Sequence, residues 1–270
     1  MKDGVFKLLF ENPENAAELY YALTGIKCDP DEIRIITITT AISGKLKNDL
    51  AFVARGRAMV LSEHQSTPNA NMPVRFLMYT AQLYEKWFKL MGEEKLVYGS
   101  SLYKIPTPEF VVFYNGITEK PEKEVLRLST AFKETPDNDL GFLELTVPVY
   151  NINKGRNLTL FEKSEKLKQY AEFVAKLREY QKSNDDYSQA VKKTVNYCIE
   201  NGILVEFLKE HGGIIVSVLF AEYDIEIAKR VHVEEFAEEQ ALKMLQDGIP
   251  IEQISRYTKL PIDTIEQLRQ

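Results

Sequence analysis

Hydrophobic residues near the start of the chain recur at helical spacing. Apolar side chains from Phe6 to Leu23 fall on one face of a helix, and Asn12-Pro13 interrupts the pattern where one helix can end and another begin. After Gly25 the period changes to two, and β-branched residues dominate positions 33–38, which predicts a strand. The opening pattern therefore predicts two helices followed by a strand.

Strand patterns dominate the middle of the chain. Two strand-like runs, 48–54 and 58–65, flank the glycine-centred turn Arg55-Gly56-Arg57 and predict a β-hairpin. A continuous apolar run over 110–114 and a mostly apolar run over 142–150 predict two further strands.

Helical patterns lie between these strands and account for the whole C-terminal part of the sequence. Residues 72–91 predict a long helix that ends at Gly92. From residue 157 onward the pattern predicts helices alone, over 158–182, 186–210, 215–246 and a final short pair. Strands clustered within 30–150 with helices between them predict an α/β fold, followed by a mostly helical C-terminal region.

Three segments follow from these patterns: a core over 1–155, a helical extension over 156–240 and a small helical tail over 241–270. The tail has the length and turn placement of a helix-turn-helix. Its last helix, however, presents few of the Arg, Lys, Asn and Gln side chains that read DNA in a groove. We therefore interpret the tail as a packing or protein-contact module rather than a DNA reader.

Composition and charge narrow the class of protein. The 270 residues include 34 Lys/Arg and 40 Asp/Glu, and the net charge of −6 argues weakly against a broad, non-specific nucleic-acid coat without excluding a nuclease. Apolar runs are too short to span a membrane and no signal-peptide pattern opens the chain, so we expect no membrane association. Two cysteines, Cys28 and Cys198, are too few for a disulfide scaffold and favour a cytoplasmic protein with reduced thiols.

Asp49, Glu63 and Gln65 form the arrangement with a specific chemical rationale. If the hairpin loop has three residues, position 54 pairs with 58, Asp49 lies opposite Glu63, and Gln65 shares the face of Glu63. Two neighbouring carboxylates repel unless a cation neutralises them, and an all-oxygen pair suits Mg²⁺ or Mn²⁺. Such an ion can lower the pKa of a bound water and stabilise the charge that develops on a phosphodiester.

Alternatives to this metal site remain open. A two-residue loop would shift the register by one and place Glu63 on the face opposite Asp49. A half-exposed hairpin whose polar residues only face water would carry no chemistry. His64 lies between Glu63 and Gln65, so alternation directs its side chain to the other face and predicts a packed histidine rather than a metal ligand.

Several short motifs follow one another in a definite order. The chain opens with Asp3-x-x-Phe6-Lys7. One predicted strand begins with Lys47-Asn48-Asp49, and the next strand ends with Glu63-His64-Gln65. The following helix carries Met72, Arg75, Tyr79, Leu83 and Tyr84, and after it comes the run Val111-Val112-Phe113-Tyr114-Asn115-Gly116. Together these motifs resemble the Rpn-type recombination-promoting nuclease / putative transposase family of the PD-(D/E)XK nuclease superfamily. The segments 151–157 and 198–208 are similar to the helical region of that family, so the resemblance covers most of residues 1–240.

The resemblance implies a restriction-endonuclease-like core, a mixed sheet flanked by helices, that cuts DNA with Mg²⁺ (or Mn²⁺) and is linked to DNA recombination or mobile elements. Asp49 matches the metal-binding acid and Glu63 the acid of the E-x-K motif, and the backbone carbonyl of His64 is a further candidate ligand. Gln65 stands where the superfamily usually has Lys, and an amide can orient water or phosphate only through hydrogen bonds. The alternative is therefore a catalytically weakened protein that binds DNA or a protein partner. Cutting both strands requires two active sites, so a homodimer is expected.

The superfamily often adds an acid from the first helix. Asp3, Glu11 and Glu18 are the candidates here, and Asp3 matches the opening of this family best.

Four further side chains are candidates for supporting roles. Arg75 and Tyr79 share a helix face, where they either contact a phosphate and support Gln65, or pack as a core tyrosine beside an arginine paired with an acid. Arg55 and Arg57 flank the hairpin tip, where they either contact backbone phosphates or form a solvated turn.

Overall fold

The computed structural model describes residues 3–36, 50–134, 143–183 and 186–268. Within these ranges the helices are α1 (Asp3–Phe10), α2 (Pro13–Thr24), α3 (Met72–Met91), α4 (Leu158–Lys163), α5 (Glu165–Lys182), α6 (Tyr187–Glu200), α7 (Val205–Gln246), α8 (Ile251–Thr258) and α9 (Ile262–Leu268). The strands are β1 (Ile33–Ile35), β2 (Leu50–Ala54), β3 (Ala58–Gln65), β4 (Thr107–Tyr114), β5 (Lys123–Arg127) and β6 (Thr146–Asn151).

The start of α2 and the ends of α2 and α3 lie where the sequence predicts them. The Asn12 side chain accepts a hydrogen bond of 2.8 Å from the Glu14 N–H and caps α2, which begins at Pro13. Gly25 (φ 74°) closes α2 and Gly92 (φ 69°) closes α3, each in the left-handed conformation that a residue without a Cβ adopts readily.

The strands form one mixed sheet in the order β1-β2-β3-β4-β6-β5. The β3–β4 and β4–β6 pairs are parallel, and the other pairs are antiparallel. Helices flank this sheet and a helical region follows it, so the predicted α/β architecture is confirmed.

The hairpin between β2 and β3 has the predicted three-residue loop. Ala54 pairs with Ala58, and the ladder runs without a shift to Leu50 opposite Ser62. Arg55 (φ 55°) and Gly56 (φ 62°) make the turn in the left-handed region. The two-residue loop is therefore excluded, while Asp49 itself lies outside the described residues.

Each face of the sheet is covered by helices. On one face α3 packs against the central strands in a cluster that includes Met72, Phe76, Tyr79, Leu83, Trp87, Ala51, Val53, Met59, Leu61, Val112 and Tyr114. On the other face Phe6 of α1 packs against Phe113, and the Tyr170 ring of α5 lies edge-on to Phe6. The sheet is thus buried on both sides, which explains why β4 is apolar without interruption over residues 110–113.

The helical region differs from the prediction in where it breaks. Ser164 separates α4 from α5, and the chain turns at residues 201–204, with Gly202 at φ 78°. Gly212 and Gly213, where a break was predicted between 210 and 215, lie inside the continuous helix α7. A helix-interior glycine costs only about 1 kcal/mol relative to alanine, so packing elsewhere along α7 overrides it.

The chain divides into two compact units, Lys2–Leu219 and Phe220–Gln270. This division differs from the three predicted segments, because α4 and α5 join the first unit: Glu18 of α2 accepts a 2.7 Å hydrogen bond from Ser164, and Tyr170 of α5 contacts His64. The second unit has its own small core around Ala241, Ile254 and Ile265. None of the described helices is long and apolar enough to cross a membrane.

Candidate functional site

Glu63 is a carboxylate buried near the end of β3. It is 3% exposed and lies on the strand face that packs against α3, because Leu61, two residues earlier, belongs to that apolar cluster. The guanidinium of Arg75 on α3 reaches Glu63 Oε2 with its Nη2 at 3.2 Å. A buried negative charge therefore lies beside a positive charge, an arrangement that offsets part of its desolvation.

Tyr79 holds the Arg75 guanidinium in place. Its hydroxyl accepts a 2.9 Å hydrogen bond from Arg75 Nε, and the guanidinium carbon lies 5.5 Å from the centre of its ring. Tyr79 is buried in the core and Arg75 pairs with an acid, which is one of the two predicted alternatives. Because the acid is Glu63, that pairing also places both side chains in the candidate site.

His64 points to the opposite face of the sheet, as alternation predicts. Its ring stacks on Phe6 with 5.3 Å between centroids, and its Nε2 lies 3.1 Å from the Tyr170 hydroxyl. The imidazole is thus a packed core group. The backbone carbonyl of Gln65 points toward β4, where it accepts a hydrogen bond from the Asn115 N–H. Successive carbonyls in a strand point to opposite sides, so the His64 carbonyl points toward β2.

Gln65 is the last residue of β3 and is less buried than the rest of the strand. It lies opposite Tyr114 in the parallel ladder and two residues beyond Glu63, so both side chains leave the strand on the same face. The predicted Glu63–Gln65 pair is therefore formed at the carboxyl end of β3.

The candidate acids of the N-terminal helices differ in their surroundings. Glu11 lies 3.8 Å from Lys7 in a partly exposed ion pair. Glu18 Oε1 accepts from the Ser164 hydroxyl at 2.7 Å and from the Lys166 N–H at 2.9 Å, so it anchors the start of α5. Asp3 is the first residue of α1, and its side chain is outside the described part of the structure.

The structure does not bring Arg55 and Arg57 to Glu63. Both lie at the hairpin tip, and the five residue steps from Ala58 to Glu63 extend over about 17 Å of strand. Arg55 instead pairs with Glu32 at 3.5 Å. Arg57 is exposed, in agreement with a solvated turn.

The metal site predicted from the sequence depends on Asp49, which is outside the described residues. Among the residues that are described, no three His, Cys, Asp or Glu side chains lie close enough to hold a metal ion. The described donors are oxygen atoms, the Glu63 carboxylate and the His64 carbonyl, and oxygen is the ligand that Mg²⁺ and Mn²⁺ prefer. The Arg75 guanidinium supplies a positive charge beside Glu63.

Sequence reasoning did not identify a polar cluster at the carboxyl ends of β4 and β6. Arg178 of α5 donates from Nη1 to Asn153 Oδ1 at 2.8 Å and from Nη2 to the Asn115 carbonyl. Asn153 Nδ2 donates to the Gly116 carbonyl at 3.0 Å. Asn115-Gly116 after an apolar run signalled a strand end, but nothing in the helical pattern of 165–182 distinguished Arg178.

Gly116 follows this cluster at a position where the backbone is tightly enclosed. A Cβ on Gly116 would overlap the Ser66 carbonyl oxygen and the Tyr114 ring. Tyr114 in turn donates from its hydroxyl to the Thr118 carbonyl at 2.8 Å. The segment beyond β4 is therefore fixed next to the end of β3, where Glu63 and Gln65 lie.

Comparisons of the sequence with protein-family models and with curated proteins, and of the structure with solved structures, give no match.

Proposed function

We propose that this protein is a metal-dependent DNA endonuclease that hydrolyses phosphodiester bonds. The observation that carries the proposal is Glu63, a buried carboxylate paired with Arg75 at the end of β3 and next to Gln65. The hairpin register supports it, since Leu50 faces Ser62 and one further pair in the same register is what a site containing both Asp49 and Glu63 requires.

In this proposal Asp49, Glu63 and the His64 carbonyl hold Mg²⁺ or Mn²⁺ through oxygen atoms. The ion, when bound, supplies a lowered pKa for a coordinated water and compensation for the charge that develops on the phosphodiester. Gln65 orients the attacking water or the phosphate by hydrogen bonds, because an amide carries no charge to offer.

Arg75 contributes positive charge beside Glu63. If a cation neutralised Glu63, the guanidinium could turn from Glu63 Oε2 toward a phosphate oxygen, and the Nε hydrogen bond to Tyr79 would keep it near the site. Arg75 would then bind and orient the DNA backbone, and Tyr79 would position Arg75.

One observation favours a second candidate function. Glu63 already has a positive partner in Arg75, and the position of the usual lysine is occupied by Gln65. A protein with that pair could retain the fold and bind DNA or a protein partner as a regulatory module without cutting.

DNA is the proposed partner, and cutting of both strands would require a homodimer with two sites. We also propose a cytoplasmic location and a role connected with DNA recombination or mobile elements. The location is supported by Cys28 and Cys198, which are both free thiols, as a reducing compartment favours.

A plasmid-nicking assay tests the function. Supercoiled DNA is incubated with the protein and Mg²⁺, Mn²⁺ or EDTA, in parallel with Asp49→Asn, Glu63→Gln and the control Glu32→Gln, which removes a carboxylate at the other end of the hairpin. We expect metal-dependent nicking that falls by about 100-fold or more in the first two variants and is unchanged in the control. Nicking that persists in EDTA, or in both site variants, would refute the proposed site. Metal-independent DNA binding without any nicking would favour the regulatory module.

A further inference from the structure

Arg178 has hydrogen-bond partners but no counter-charge in the described structure. Its two hydrogen-bond partners among the described residues, the Asn153 side-chain oxygen and the Asn115 carbonyl, are both neutral acceptors. No Asp or Glu of the described ranges lies within ion-pair distance of Arg178, and Glu119 and Glu122 of the adjacent segment are exposed. A guanidinium has five N–H donors, so these two bonds leave donors available.

The position of Arg178 makes this lone charge costly. Burial lowers the pKa of its guanidinium, which nevertheless stays protonated at neutral pH. Removing a charge from water is unfavourable unless an opposite charge or further hydrogen bonds offset the loss. An anion at the free edge of the guanidinium would provide both.

The side chain of Asn115, the residue whose carbonyl Arg178 contacts, is a second polar group with too few partners. Asn115 is 1% exposed, and neither its side-chain nitrogen nor its side-chain oxygen has a hydrogen-bond partner among the described residues. A buried amide without partners costs about 1–3 kcal/mol, so such groups usually mark a bound ligand or ordered water. Two polar groups that lack sufficient partners thus occur at the same point in the fold.

This point lies at the carboxyl ends of β4 and β6, next to the carboxyl end of β3 that carries the candidate site. The Asn115 N–H donates to the Gln65 carbonyl at 2.8 Å, so Arg178 is connected to Gln65 through one residue. Lys154 and Arg156, in the loop after β6 that holds Asn153, are exposed and have no ion pair in the described structure. Arg178 is therefore the positive charge that the described contacts connect to Gln65.

We propose that Arg178 binds a phosphate of the nucleic-acid backbone, beside the phosphate that is cut. A guanidinium suits this ligand because it can donate two parallel hydrogen bonds to phosphate oxygens. The proposal rests on the proposed function, since it takes the anion to be part of a DNA strand.

DNA binding at a series of salt concentrations tests the proposal. The affinity of the full chain for a fluorescent DNA duplex is measured by anisotropy with Ca²⁺ in place of Mg²⁺, for wild type, Arg178→Gln and Arg127→Gln. Each phosphate contact contributes about 0.9 to the slope of log affinity against log salt concentration. We expect Arg178→Gln to reduce that slope by about 0.9 and the affinity by about tenfold. Arg127→Gln, which removes an exposed arginine opposite Thr146 at the start of β6, is expected to leave both unchanged.

Arg178→Lys separates phosphate binding from a purely structural role. Lysine keeps the charge but cannot donate two parallel hydrogen bonds, so we expect weaker binding with nearly the wild-type slope. An unchanged slope in a folded Arg178→Gln variant would overturn the proposal, as would wild-type affinity in Arg178→Lys or no DNA binding by the wild type. If the wild type binds DNA with an Arg178-dependent slope but nicks no plasmid, the endonuclease function fails and the phosphate site stands.

Discussion

At the scale of single residues, the site is defined by polar groups in an otherwise apolar layer. Leu61 and Glu63 share one face of β3, yet Leu61 belongs to the core cluster with α3 while Glu63 requires Arg75 to offset its charge. The backbone near the site is also tightly packed at Gly116, because the Ser66 carbonyl and the Tyr114 ring fill the space that a Cβ would occupy.

Gly116→Ala tests the close packing beside the site. The added methyl group must displace backbone, so we expect a loss of about 2 kcal/mol in the free energy of unfolding, measured by urea titration. The control is Gly213→Ala, in helix α7, where nothing lies within 4 Å of the new Cβ. There we expect a gain of about 0.5–1 kcal/mol from helix propensity. Equal effects of the two substitutions would contradict the packing described at Gly116.

At the scale of elements, the strands and helices of the site are joined by a few long-range contacts. The β2–β3 register follows from the hairpin loop, which is local, but the attachment of α5 to α2 is not. Glu18 bonds the Ser164 hydroxyl and the Lys166 N–H, and Ser164 Oγ also accepts from the Leu167 N–H at 3.1 Å. Glu18 therefore extends the cap at the start of α5, more than three turns before Arg178 in the same helix.

Glu18→Ala tests that role against a catalytic one. Loss of two hydrogen bonds to a carboxylate should lower the free energy of unfolding by about 2 kcal/mol, measured by urea titration. Nicking per folded molecule should stay unchanged, since Glu18 acts at the start of α5. Glu11→Ala removes an acid in a partly exposed 3.8 Å ion pair and should change stability by less than about 0.5 kcal/mol. A folded, stable Glu18→Ala protein that has lost nicking would instead assign Glu18 to catalysis.

Prediction from sequence works at this scale where the cause is local. The helix ends at Asn12, Gly25 and Gly92 lie where the pattern predicts. The Asn12 side chain caps a helix, and the two glycines end helices because they lack a Cβ. Strand β5 (Lys123–Arg127) was not predicted, because its alternating charged residues gain their pairing only from β6. The same limit applies to Arg178, which becomes notable only when Asn115 and Asn153 surround it.

At the scale of the whole molecule, each of the two compact units has a hydrophobic cluster of its own among the described residues. The sheet unit, Lys2–Leu219, has the large cluster between α3 and the strands, and the unit Phe220–Gln270 has a small cluster around Ile254 and Ile265. Units with separate cores can unfold separately, so the free energies of unfolding predicted above for Gly116 and Glu18 variants refer to the sheet unit.

Ile265→Ala is expected to open the C-terminal unit selectively. Removing a fully buried isoleucine side chain should cost about 3 kcal/mol, a large share of the stability of so small a core. Hydrogen exchange followed by mass spectrometry should show faster exchange in α8 and α9 and unchanged protection in β3 and β4. Ile262→Ala, at a more exposed isoleucine of the same helix, should leave both regions near wild type. Faster exchange throughout the sheet in Ile265→Ala would show that the two units unfold as one.

The sequence by itself determined features that depend on neighbours along the chain: the helix ends at Asn12, Gly25 and Gly92, and the opposite faces taken by Glu63 and His64. These follow from backbone conformation and strand alternation, which act over a few residues. The sequence left two hairpin loop lengths open, and the structure selected the three-residue loop. Only the tertiary structure decided which side chains meet. The pairing of Glu63 with Arg75, the anchoring of α5 by Glu18 and the enclosure of Arg178 all join different elements. Burial makes those polar groups require partners, and the fold selects which partners are within reach.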